Sequence, residues 1–139
     1  MISKRMGNTV AVRLDVGEEI SEQLKKVCKE HGIKAGSVTG IGAIKDAVLG
    51  VYDIELKKYN ENHFDSFMEI CNLSGNVSEM NGETYLHLHA TLAGEKGRVF
   101  GGHMINAVIG ATAEIFITVL DGEIGRKHIG ELGINILEW

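Results

Sequence analysis

Apolar residues recur along this chain at two spacings, and the period of two dominates. In Thr9-Val10-Ala11-Val12-Arg13-Leu14, Val10, Val12 and Leu14 occupy one face, the pattern of a half-buried strand. The spacing then changes: Ile20, Leu24, Val27 and His31 fall at helical intervals. Asp15 offers a cap, Glu18 and Glu19 suit the positive N-terminal dipole, and Gly32 can close the element with a left-handed backbone. One helix is therefore expected over about residues 18–31, with His31 at its last turn as a surface residue that complements the dipole.

Strand character returns and persists. Ala35 to Ile44 is dotted with Gly36, Gly40 and Gly42, which suggests a bulge or close backbone approach. It is not a dinucleotide fingerprint, because the third glycine position is Lys45 and no helix pattern follows. Ala47 to Ile54 reads as a strand that Leu56-Lys57-Lys58-Tyr59 continues. Asn60-Glu61-Asn62-His63 reads as a polar turn with His63 exposed. Phe64 to Val77 resumes strand character with a bend at Ser74-Gly75-Asn76, and Asn81-Gly82 is a strong hairpin turn. Gly94 to Gly97 forms another turn, Ile115 to Leu120 a central apolar strand, Gly125 to Gly133 a loop, and Ile134 to Leu137 a last strand. With 18 glycines and no proline, turns rest on Gly, Asn and Asp. The expectation is one α+β domain over residues 1–139: a mixed or antiparallel, barrel-like sheet with one main helix.

Charge and cysteine content narrow the function. A formal net charge of −5 disfavours general nucleic-acid binding, and the short basic groups Lys25-Lys26, Lys57-Lys58 and Arg126-Lys127-His128 read as solvated edges. Cys28 and Cys71 share no motif spacing, read as small core residues, and with no secretory signal suit a reduced, cytoplasmic protein. No charge-free apolar run reaches about 18 residues, so no membrane span is expected.

The chemistry concentrates in Tyr85-Leu86-His87-Leu88-His89 and Gly101-Gly102-His103, which hold three of the six histidines. On a strand, Tyr85, His87, His89 and Thr91 share one face and Leu86, Leu88, Ala90 and Leu92 the other. The first face is polar without charge, as a pocket wall would be. His103 depends on register: pairing Ala93 with Arg98 turns it to the core, whereas a bulge at Gly101-Gly102 or a loop one residue longer brings it opposite His89. Three neutral imidazoles with an open position suit Zn²⁺ best, with Fe²⁺, Mn²⁺ or Ni²⁺ as other occupants. Glu114 is the first candidate for a carboxylate acting at the metal, Glu69 a weaker one, and Arg98 could hold an anionic group.

Gly97-Arg98-Val99-Phe100-Gly101-Gly102-His103, with Leu86-His87-Leu88-His89 before it and Ala113-Glu114-Ile115-Phe116-Ile117 after it, resembles the plants-and-prokaryotes-conserved (PPC) domain. Phe67 to Ile70, Leu73 to Val77 and Ile41-Gly42-Ala43 agree, so the likeness spans nearly the whole chain. The resemblance implies an α+β fold assembled as a homotrimer. It also implies a fold similar to acetolactate decarboxylases, whose zinc ligands are a His-x-His pair and a later histidine, here His87, His89 and His103. In plants the domain accompanies an AT-hook containing proline, which this chain lacks. A cupin-like β-barrel is the alternative fold, though Glu95 lies one position beyond the usual cupin glutamate. The expectation is a metal-binding protein with a small-molecule ligand, open as to catalysis. The alternative is a DNA-binding or regulatory module acting as a homotrimer.

Overall fold

The computed structural model covers Met1–Trp139 and is built on long antiparallel strands. They are β1 (Ile2–Met6), β2 (Thr9–Asp15), β3 (Gly36–Asp53), β4 (Lys58–Phe64), β5 (Met68–Met80), β6 (Glu83–Ala93) and β7 (Val99–Val119), in sheet order β1-β2-β7-β6-β5-β3-β4. Because β7 pairs with β6 near its start and with β3 along most of its length, β3, β5, β6 and β7 form a ring of antiparallel pairings. The barrel-like expectation holds, with every pairing antiparallel. A separate hairpin of β8 (Gly125–Ile129) and β9 (Ile134–Glu138) follows. No helix is long and apolar enough to cross a membrane.

The alternating residues behave as their pattern requires. Val10, Val12 and Leu14 are buried, as are Leu88, Ala90 and Leu92 on β6. They join Ile20, Leu24, Val27 and Cys28 of the single helix, α1 (Ile20–His31), in one core. Gly32 ends α1 at φ 64°, and Asn81 and Gly82 both take positive φ, as a type I′ hairpin demands.

The cap is not Asp15. Asp15 and Glu18 close a turn on each other, and Gly17 and Glu18 exchange backbone hydrogen bonds with Ile109, so the helix starts later. Glu19 caps it, its carboxylate accepting from the Glu22 amide at 2.7 Å and the Ala107 amide at 3.3 Å. His31 keeps its place in the last turn, with Nε2 2.9 Å from Ser3 Oγ.

Four other expectations are corrected. The turn lies at Ile54–Lys57, and Asn60-Glu61-Asn62-His63 are strand residues of β4; His63 is exposed but not in a loop. The β5 irregularity falls between Ile70 and Asn72, which puts Cys71 on the surface and leaves Ser74–Asn76 in regular pairing. Gly125 to Gly133, read as a loop, contains β8. Arg126 is buried, not a solvated edge.

Candidate metal centre

A loop one residue longer than the shortest alternative sets the site. Ala93 pairs with Val99, not Arg98, leaving five residues, Gly94 to Arg98, in the turn between β6 and β7. Register then runs without a break to His89 opposite His103, so no bulge is needed. Gly102 serves another purpose: a Cβ there would sit 2.8 Å from the Gly50 carbonyl oxygen, so its absence lets β3 cross close to β7. Gly75 does the same behind His87, where a Cβ would lie 1.9 Å from the His87 carbonyl oxygen.

His87, His89 and His103 converge. Their ring centroids are 5.2, 5.2 and 5.4 Å apart, and one ligand nitrogen from each lies within 4.8 Å of the others. The Nε2 atoms of His87 and His89 are 3.3 Å apart. That is close to the separation of two nitrogens held at about 2.0–2.1 Å on a tetrahedral ion. His103 stacks on Tyr59 at 4.7 Å and 20°, and its Nδ1 is buried with no hydrogen-bond partner. Burial, then the neighbouring histidines, hold the His103 pKa down at about 4. Burial, then the Arg126 charge, lowers that of His87. Both are therefore neutral at pH 7, the form a metal requires. Three crowded imidazoles, one of them with a buried nitrogen that lacks a partner, fit a divalent transition metal. A metal bound there would lower the pKa of a bound water or polarise a carbonyl at its open position.

The histidines open on a cavity of about 470 Å³. All three tyrosines of the chain, Tyr52, Tyr59 and Tyr85, line it with Gly50, Gly102 and Asn135. Tyr85 was legible from its position on the histidine face. Tyr59 is hidden because β4 is polar and carries no alternation, and Asn135, although on the expected last strand, because nothing local ties that short strand to the histidine face. Arg126 was hidden too: its partners Ser78, Asn76 and Asn135 are distant in sequence.

The other candidates lie apart from the cluster. Glu114 is eleven residues along β7 from His103, about 35 Å of strand, and pairs across β2 with Arg13 and across β3 with Ile41. Glu69 pairs with Ala93, and Arg98 ends the turn, its carbonyl accepting from the Gly94 amide at 2.9 Å. None of the three lines the cavity.

Comparison with known proteins agrees with the geometry. A candidate DNA-binding protein from Bacteroides thetaiotaomicron is 36% identical, with a TM-score of 0.95 over 99% of this chain and 96% of that one. A metal-containing protein from Archaeoglobus fulgidus is 33% identical, with a TM-score of 0.89 over 100% and 99%. A plant- and prokaryote-conserved protein from Pyrococcus horikoshii is also 33% identical, with a TM-score of 0.88 over 99% and 95%. Acetolactate decarboxylase from Bacillus subtilis, at 17% identity and a TM-score of 0.62, over 87% of this chain and 57% of that one, shares the fold alone. Among curated proteins, the bifunctional protein GlmU of Synechococcus is 28% identical over 108 residues, and the match spans 16% of that protein's length. These likenesses favour the expected fold over a cupin-like barrel. Residues 1–121 match the Plants and Prokaryotes Conserved (PCC) domain, and the chain belongs to that family.

Proposed function

We propose that this protein binds one divalent transition metal, with zinc the best fit, through His87, His89 and His103, and presents it to a small molecule in the tyrosine-lined cavity. The observation that carries the reading is the convergence of three imidazole nitrogens within 4.8 Å, with the buried Nδ1 of His103 lacking a partner. The metal-containing relative from Archaeoglobus fulgidus supports it. The chain works as a cytoplasmic homotrimer, a state supported by apolar side chains left on the outer sheet face: Ile41 is 58% exposed and Phe116 45%. Sedimentation equilibrium should give three times the chain mass; one chain mass would reject the trimer.

Metal content by plasma mass spectrometry tests the site. About one zinc per chain in untagged protein, lost in the His87→Ala/His89→Ala variant, is the expected outcome. No metal in either, even after zinc is added back, would reject it.

A second reading, a DNA-associated regulatory module, is favoured by the candidate DNA-binding relative. It predicts duplex binding that weakens steeply with salt. The net charge of −5 argues against it.

A further inference from the structure

Arg126 is an unusual cation for its position. It is only 9% exposed, and its guanidinium lies 4.4 Å over the Tyr85 ring, behind the cavity wall. Nε donates to Ser78 Oγ at 2.8 Å, Nη1 to the Asn135 carbonyl at 2.8 Å, and Nη2 to Asn76 Oδ1 at 2.7 Å. Every one of these partners is neutral, and none of the chain's ion pairs includes Arg126. A buried charge with no counter-charge is costly. Asn76 is the β5 residue paired with His87, and paired residues share a face of the sheet, so this charge stands beside the histidine cluster on its own face.

The cavity offers no relief. No aspartate or glutamate lines it. Three neutral imidazoles leave the full charge of a divalent ion in place, and Arg126 adds to it. The positive field therefore favours an anion, and no carboxylate of the chain lines this cavity, Glu61 lying in the adjoining one with His103 and Tyr85. The Tyr85 hydroxyl accepts from Asn135 Nδ2 at 3.4 Å, which leaves its own proton free to donate into the cavity. The three tyrosine rings provide an aromatic wall, and about 470 Å³ is room for more than a bare inorganic ion.

Building on the metal reading above, we propose that the cavity selects a small carboxylate with an aromatic or apolar body. Its carboxylate takes the open metal position, and Arg126 acts as a positioning residue whose buried charge favours that anion over a neutral ligand. Tyr85 donates a hydrogen bond to the same group.

The test uses the whole protein loaded with Co²⁺, whose visible absorption reports its ligands without any assay of turnover. Mandelate and its neutral amide, mandelamide, are titrated in turn. Mandelate should perturb the spectrum and bind at least tenfold more tightly than mandelamide, with the difference shrinking as salt rises. Arg126→Gln should weaken mandelate about tenfold while leaving mandelamide within threefold, and Arg126→Lys should restore most of the loss. Equal binding of the two ligands, or no spectral response to either while cobalt is bound, overturns the inference and leaves the metal site standing. So does an equal loss for both ligands in Arg126→Gln, which would mean a structural role only. Failure to bind cobalt overturns both readings. Should Arg126→Gln not fold, the wild-type preference and the Arg126→Lys variant decide the matter.

Discussion

Replacing His103 by phenylalanine should make the metal-free protein more stable and the metal-loaded protein less so. In the apoprotein the buried, unpartnered Nδ1 costs on the order of 1–3 kcal/mol. A phenyl ring removes that atom yet keeps the stack on Tyr59, now at 4.7 Å, a contact of about 0.5–1.5 kcal/mol. The extra ring atom has the adjoining cavity to enter, so the overpacking penalty is small. The net gain is about 1 kcal/mol. With zinc at 1,000 times the wild-type Kd, wild type gains about 4 kcal/mol by mass action. A variant with two histidines, binding about 100-fold more weakly, gains about 1.4 kcal/mol at the same zinc. The order should therefore cross, with wild type ahead by about 2 kcal/mol. Urea unfolding at one fixed protein concentration, with chelator and then with zinc, measures both differences. A variant more than about 1 kcal/mol less stable than wild type in chelator would refute the claim that Nδ1 is unsatisfied. Absence of the crossing would refute the claim that His103 is a ligand.

Further outcomes follow from the same geometry. Gly75→Ala would force a methyl to within 1.9 Å of the His87 carbonyl oxygen, so it should cost about 3 kcal/mol or more and weaken metal binding. Gly101→Ala, whose new methyl meets nothing closer than 3.5 Å, should be tolerated; similar melting temperatures for the two variants would contradict this. Lowering pH from about 6.5 towards about 4 should destabilise the apoprotein: in that window the unfolded chain protonates His103 while burial keeps the folded one neutral, so stability is full above the window. His87, shifted the same way, adds to the slope, and His103→Phe should flatten it; equal slopes by urea titration at several pH values would count against the shift. In the native state Ellman's reagent should modify exposed Cys71 alone, because Cys28 is buried and its thiol pKa is pushed up to about 12; two fast thiols would show that α1 opens readily.

Much of the fold was legible because it rests on local alternation. Val10, Val12 and Leu14 could face only one way, and His87 and His89 had to share a face once β6 was a strand. What could not be read depends on distance or on edges. The placement of His103 turned on a single residue of loop length, a five-residue turn whose register only the assembled sheet decides. β4 is an edge strand whose side chains are mostly exposed, so it lacks the alternation that marks a half-buried strand. The burial of Arg126 comes from Ser78, Asn76 and Asn135, partners between 9 and 50 positions away. Glu114 was an attractive carboxylate by composition, but β7 is 21 residues long and carries it far from the histidines.

X-ray absorption at the zinc edge tests the central claim most directly, because it reads the ligand atoms themselves. The account predicts three imidazole nitrogens at about 2.0–2.1 Å with the outer-shell scattering of their rings, one oxygen ligand, and no sulfur. A sulfur scatterer at about 2.3 Å, or fewer than two imidazoles, would contradict it and move the metal to a different site on the molecule.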